Sequence, residues 1–178
     1  MGLVGFRDRA QLFLPPSRSS SQAYRILRTL CLSYRTGGKS NLRTAAVEAA
    51  RALKRRAIVN LITDVNHELE DYIYFVHLMW AREHMTNMLL AVDESEINLP
   101  NAGWLTLMES EELQKMTIDT EEIKSEYDAE TRRFITRMIS GCKMFGSRVM
   151  LFQGLKDVDA KMIDLANLYR RSREGAYR

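Results

Sequence analysis

Residues 42–92 read LRTAAVEAARALKRRAIVNLITDVNHELEDYIYFVHLMWAREHMTNMLLAV, and how this run is divided decides the fold. Its first part, Leu42 to Ala57, is rich in Ala, Leu, Arg and Lys, all strong helix formers. Beyond it Leu61, Val65, Leu69, Tyr72, Val76 and Met79 recur at steps of 4, 4, 3, 4 and 3. That is the spacing of a core-facing helix seam. One unbroken helix over 42–92 would be about 75 Å long, which is out of scale for a small domain. Asn60 to Asn66 clusters Asn, Thr and Asp and offers a place to recap, although no Gly or Pro enforces a break there. One helix or two stays open; in both cases the run predicts helix.

The flanks extend the same pattern. Pro15-Pro16 and the serines at 17 and 19–21 mark a break and a helix entry. Residues 22–35 then place Tyr24, Ile26, Leu27, Leu30, Cys31 and Tyr34 near one side and Arg25, Arg28 and Arg35 largely elsewhere, an amphipathic helix with a basic face. Gly37-Gly38 ends it. Residues 93–103 read as a loop around Pro100 and Gly103. Thr117 to Thr120 starts a helix that runs to about Ser140, with Glu121 and Glu122 suited to the positive end of its dipole. A final helix, 157–172, puts Val158, Met162, Leu165 and Tyr169 on one face. The reading is all-α: a small helical bundle over 22–92, preceded by a basic extension (1–21) and followed by an acidic loop and helical extension (93–178).

Charge is unevenly distributed. Residues 1–63 carry twelve Lys/Arg against two acids, Asp8 and Glu48, whereas residues 64–178 carry fourteen against twenty-one. Most of the negative excess falls in 109–130, with nine acids and two lysines. Such asymmetry points to partners more than to chemistry. Residues 2–35 are Arg-rich, Ser-rich and nearly free of acids, with Phe6, Ala10, Phe13 and Leu14 at roughly helical spacing. That composition predicts a mitochondrial targeting segment. No apolar run approaches the ~20 residues of a membrane span. Cys31 and Cys142 form no disulfide framework, although two cysteines permit one pairing.

The sequence carries no convincing catalytic constellation. Glu70, His77 and His84 are seven residues apart, about 10.5 Å per step on a helix, too far to share one ion. Asp64/His67 and His67/Asp71 have ligand spacing but supply two donors each. The segment 141–146, GCKMFG, lacks the Gly-Lys-Ser/Thr of a phosphate loop. The expectation is therefore no enzyme, no metal and no cofactor of its own. The basic residues Tyr24's neighbours Arg25 and Arg28, together with Arg35, Arg43, Arg51, Lys54, Arg55 and Arg56, suit nucleic-acid phosphates or an acidic protein partner.

The stretch Ala23-Tyr24-Arg25-Ile26-Leu27-Arg28, with Tyr34 beyond, resembles the signature of the LYR-motif family, and 67–78 resembles that family's third helix. The resemblance implies a three-helix mitochondrial protein and an accessory subunit of a respiratory complex, complex I first, on the matrix side of the inner membrane. It also implies docking of an acidic acyl carrier protein through Arg25, Arg28 and nearby basic residues, with Tyr24 either a further contact or simple core packing, the acyl-phosphopantetheine entering between the helices. The alternatives are an RNA-contacting subunit of a mitochondrial ribosome and a structural subunit of the ATP synthase.

Overall fold

The computed structural model describes residues 1–8, 10–33, 40–54, 56–108, 115–154 and 158–175. In chain order it contains β1 (Leu3–Phe6), β2 (Ala10–Leu14), α1 (Gln22–Ser33), α2 (Leu42–Ala52), β3 (Ile58–Thr63), α3 (Leu69–Ala81), β4 (Met85–Val92), α4 (Glu94–Ile97), β5 (Trp104–Met108), β6 (Lys115–Asp119), α5 (Thr120–Lys143), β7 (Arg148–Gln153) and α6 (Val158–Gly175). The all-α expectation is overturned. The chain is an α/β protein with one parallel and two antiparallel sheets among the described residues.

The parallel sheet has the order β3-β4-β7. β3 pairs with β4 from Ile58↔Met85 to Thr63↔Leu90, and β4 pairs with β7 from Asn87↔Arg148 to Val92↔Gln153. Parallel strands need a long crossover, usually a helix. Here α3 joins β3 to β4 and α5 joins β4 to β7, and the two helices pack against each other, with α2 against α3.

The run 42–92 therefore divides into helix, strand, helix and strand. Of the seam expected on one helix, Leu69, Tyr72, Val76 and Met79 are buried on α3, whereas Leu61 belongs to β3 and Val65 to the turn after it. Residues 58–63, IVNLIT, are rich in β-branched side chains, which fit a pleated surface. β4 buries Asn87, Met88, Leu89 and Leu90 consecutively. A central parallel strand is covered on both faces and so loses the alternating pattern.

Leu61, Met88, Leu90 and Val92 project into a cluster completed by Leu42, Ala46, Ala49 and Ala50 of α2, Tyr72, Phe75, Val76 and Met79 of α3, and Ile135, Met138 and Cys142 of α5. Residues on both sides of position 92 share this core. Small side chains let α2 approach closely, and Gly141 does the same for α5: a Cβ there would lie 2.8 Å from Ile73 Cδ1. Tyr72 is fully buried, its hydroxyl donating to the Asp64 carbonyl at 2.9 Å and accepting from the His67 N–H at 3.2 Å, so α3 holds the turn that leaves β3.

The opposite face of the sheet meets α6, where Leu165 is buried. The segment expected to be an amphipathic targeting helix is instead a hairpin, β1 against β2, with Leu3↔Leu14 and Val4↔Phe13 paired. Gln22, buried at the start of α1, donates from Nε2 to the carbonyls of Met1 and Pro15, joining the hairpin to that helix. Residues 93–103, expected as a loop, include the single-turn α4, closed by an Asp93/Glu96 capping box. The helix expected from Thr117–Thr120 begins at Thr120, with Asp119 as its cap, and β6 precedes it.

Candidate partner-binding surface

α1 makes no more than marginal contact with any other element among the described residues. At 100° per residue Ile26, Leu30, Ala23, Leu27, Cys31 and Tyr24 fall within an arc of about 160°. In a supported helix that arc would be covered. Here Tyr24 is 68% exposed and Leu27 62%, and Leu30 and Cys31 are exposed as well. Arg25 and Arg28 lie on the other side, both exposed, Arg25 donating to Gln22 Oε1 at 3.2 Å. No acid occurs between Asp8 and Glu48, so the helix is an amphipathic, uniformly basic element with its apolar side open. An isolated helix shorter than about 12–15 residues is marginal in water; α1 has twelve.

The other basic residues are spread over several elements. Arg43, on α2, has its Nε 2.5 Å from Asp71 Oδ1 and its guanidinium over the Tyr74 ring at 5.1 Å, which fixes α2 on α3. Arg51 and Lys54 are exposed at and beyond the end of α2. Arg56 pairs with Glu83 at 2.8 Å; the hydrogen bond and the charges raise the arginine's pKa and lower the carboxylate's. Arg35 and Arg55 lie outside the described residues. Tyr24, Arg25 and Arg28 thus share one helix, while Arg43 and Arg56 serve intramolecular pairs.

Sequence reasoning missed a cleft of about 760 Å3 at the start of β3 and β4, lined by Arg56, Ala57, Ile58, Trp80, Ala81, Glu83, His84 and Met85. His84 is 7% exposed and accepts from the Ala57 N–H at Nδ1 (3.3 Å), while its Nε2 is buried without a partner. Burial, then the nearby Arg82 charge, lowers its pKa and keeps it neutral. Trp80 stacks on His77, and Phe145 packs against both. Of the donors weighed for a metal, His77 is exposed on α3, whereas His84 is buried at the turn that follows. Among the described residues no three His, Cys, Asp or Glu side chains gather as a metal site would require. No helix there is long and apolar enough to cross a membrane.

The fold and this surface define an α/β protein on a parallel sheet. Residues 1–136 match the family described as "Protein of unknown function DUF58", and the chain belongs to that family. The finding overturns the LYR-motif resemblance: no LYR family matches, and a parallel α/β sheet replaces the three-helix bundle. With it fall the labels that hung on the resemblance, mitochondrial, complex I and electron transport, since this family is typically found in bacteria. Tyr24-Arg25 reproduces two letters of the motif, on a helix that makes only marginal contact with the other described elements. No curated protein matches the chain. A solved structure, an uncharacterized membrane-spanning protein from Vibrio fischeri, is similar over 94% of this chain and 74% of that one, with 13% identity and a TM-score of 0.32. At that level the likeness transfers neither fold nor function.

Proposed function

We propose that the chain is a non-catalytic docking module whose helix α1 binds an acidic partner protein. The observation that supports this reading is the open apolar arc of α1, with Tyr24, Leu27 and Leu30 exposed beside Arg25 and Arg28. An amphipathic helix seats its apolar face in a partner's groove. The flanking arginines select acidic rims, because complementary charge steers and orients association.

A photo-crosslinking residue placed at Ala23, within the arc, tests the proposal in the host cell. The expected result is crosslinking to one or a few acidic proteins, lost in the double variant Arg25→Glu/Arg28→Glu and in Leu27→Asp. Capture that persists undiminished in both variants would overturn it. So would recovery of RNA instead of protein, or co-sedimentation of the purified chain with vesicles of equal parts phosphatidylcholine and phosphatidylserine that depends on Leu27.

A further inference from the structure

We propose that β3 is a self-complementary edge: a second copy of this chain pairs its own β3 antiparallel to it, joining the two parallel sheets into one continuous sheet. β3 ends the strand order β3-β4-β7, and no other described strand pairs with its outer side. The carbonyl of Ala57 accepts from the Met85 N–H at 2.9 Å, so the backbone of Ala57 addresses β4. In a parallel pair alternate residues turn toward the neighbour. Val59, Leu61 and Thr63 therefore also address β4, and Ile58, Asn60 and Ile62 direct their N–H and C=O groups outward.

Such an edge is normally blunted by a charge, a proline or a bulge. IVNLIT has none of these. Ile58 is 50% and Ile62 70% exposed, which leaves apolar surface beside the unpaired backbone. The far edge, β7, differs. It opens on Arg148 and reads RVMLFQ, with no internal symmetry.

The sequence of β3 identifies the occupant. A two-fold interface presents one patch to itself, so residue i meets j where j meets i. Ile58-Val59-Asn60-Leu61-Ile62 is a chemical palindrome about Asn60. Antiparallel pairing centred there puts Ile58 opposite Ile62 of the second copy, Val59 opposite Leu61, and Asn60 opposite Asn60. The outward-facing residues then meet one another, and each such pair exchanges two N–H···O=C bonds. In the same register Arg56, just before the strand, faces Asp64 of the second copy, just after it. Arg56 and Asp64 are both exposed, and because the surface pair of Arg56 with Glu83 at 2.8 Å contributes little, the guanidinium can exchange Glu83 for the second copy's Asp64. Two-fold symmetry makes that charge pair twice, once at each end. Slipping the register by two residues in either direction places Arg56 opposite an uncharged residue and breaks the Ile58/Ile62 pairs.

An edge of this length makes a small interface, so the expected affinity is on the order of micromolar. The test is analytical ultracentrifugation of the full chain over a concentration series, with thermal melts to verify folding. The wild type is expected to approach twice its 20.6 kDa mass at the upper concentrations. Ile62→Lys, at a mostly exposed position, is expected to weaken association at least about tenfold while leaving the melt unchanged. Arg56→Asp and Asp64→Arg are each expected to weaken it several-fold, and the double variant, which exchanges the charges, to restore it. A wild type monomeric throughout the series overturns the proposal. Dimerisation untouched by Ile62→Lys, or abolished by Leu27→Asp on α1, overturns it as well.

Discussion

Tyr169, on the last helix, donates its hydroxyl proton to Asn60 Oδ1 on β3 at 2.8 Å, joining residues 109 positions apart. Asn87 of β4, 2% exposed, completes the network by donating from Nδ2 to the same Oδ1 and to the Tyr169 hydroxyl oxygen. Burial raises the phenol's pKa, so it remains a donor at neutral pH. The second face of the sheet carries these amides among apolar neighbours, and α6 is positioned by satisfying them. Tyr169→Phe is expected to cost about 0.5–1.5 kcal/mol, the net worth of a hydrogen bond. Amide exchange should quicken selectively in α6, with α3 unchanged. Equal acceleration in both helices would show that the network does not hold α6 in particular.

The two cysteines are predicted to separate cleanly by reactivity. Cys31 is exposed on α1, and Cys142 is fully buried between α3 and the sheet, where burial pushes its thiol up to about 11. The thiolate is the nucleophile. A disulfide reagent at pH 8 should therefore titrate one thiol rapidly in the native protein and the second only in denaturant. Cys31→Ser should remove the fast phase entirely. Rapid native labelling of Cys142 would contradict the packing of α5.

His84 makes stability depend on pH in a defined direction. Burial and the Arg82 charge lower its folded pKa beneath the ordinary 6.5. Between the two values the unfolded chain binds the extra proton, so stability falls as pH drops. The contribution is complete above about pH 6.5 and is lost progressively below it. Protonation at Nδ1 would also set a donor against the Ala57 N–H. The urea midpoint is expected to fall between pH 7 and pH 5.5. His84→Asn, which keeps an acceptor toward Ala57 without titrating, should remove most of that slope. A slope that survives the substitution would assign it to other groups.

Parts of the fold are legible in the sequence. The α3 stripe of Leu69, Tyr72, Val76 and Met79, the start of α5 near Asp119 and the Leu165/Tyr169 face of α6 follow from periodicity and capping. The strands do not. β4 is buried on both faces and carries no alternation, so its apolar run extends a helical pattern without a visible seam. Leu61 continues the 3–4 spacing by coincidence, although the β-branched run Ile58, Val59, Ile62 and Thr63 was a signal for strand. The turn from α3 to β4 escapes a search for Gly and Pro because Glu83 occupies the left-handed position. Of the binding residues, the basic amphipathic character of α1 is readable. The exposure of its apolar side is not, since a sequence cannot say which stripe lacks a neighbour. The roles of Arg43 and Arg56 depend on Asp71 and Glu83, which are 28 and 27 residues away.

Glu83 itself provides the last prediction. Its φ is +60°, the only positive value at a non-glycine described residue. The N–H of Glu83 donates to the Trp80 carbonyl at 2.8 Å, and that of His84 to the Met79 carbonyl at 2.9 Å. These are the two bonds of a Schellman ending, whose left-handed residue is usually glycine because a Cβ is strained there. Glu83→Gly relieves the strain but removes the exposed pair with Arg56, which contributes little. The expected result is a Tm raised by roughly 2 °C. Glu83→Ala loses the same pair and keeps the strain, so it should melt at or slightly below the wild type. The interval between the two variants measures the cost of the left-handed backbone apart from the ion pair. If the glycine variant melts below the alanine one, the turn is held by the glutamate side chain and not by its Schellman geometry.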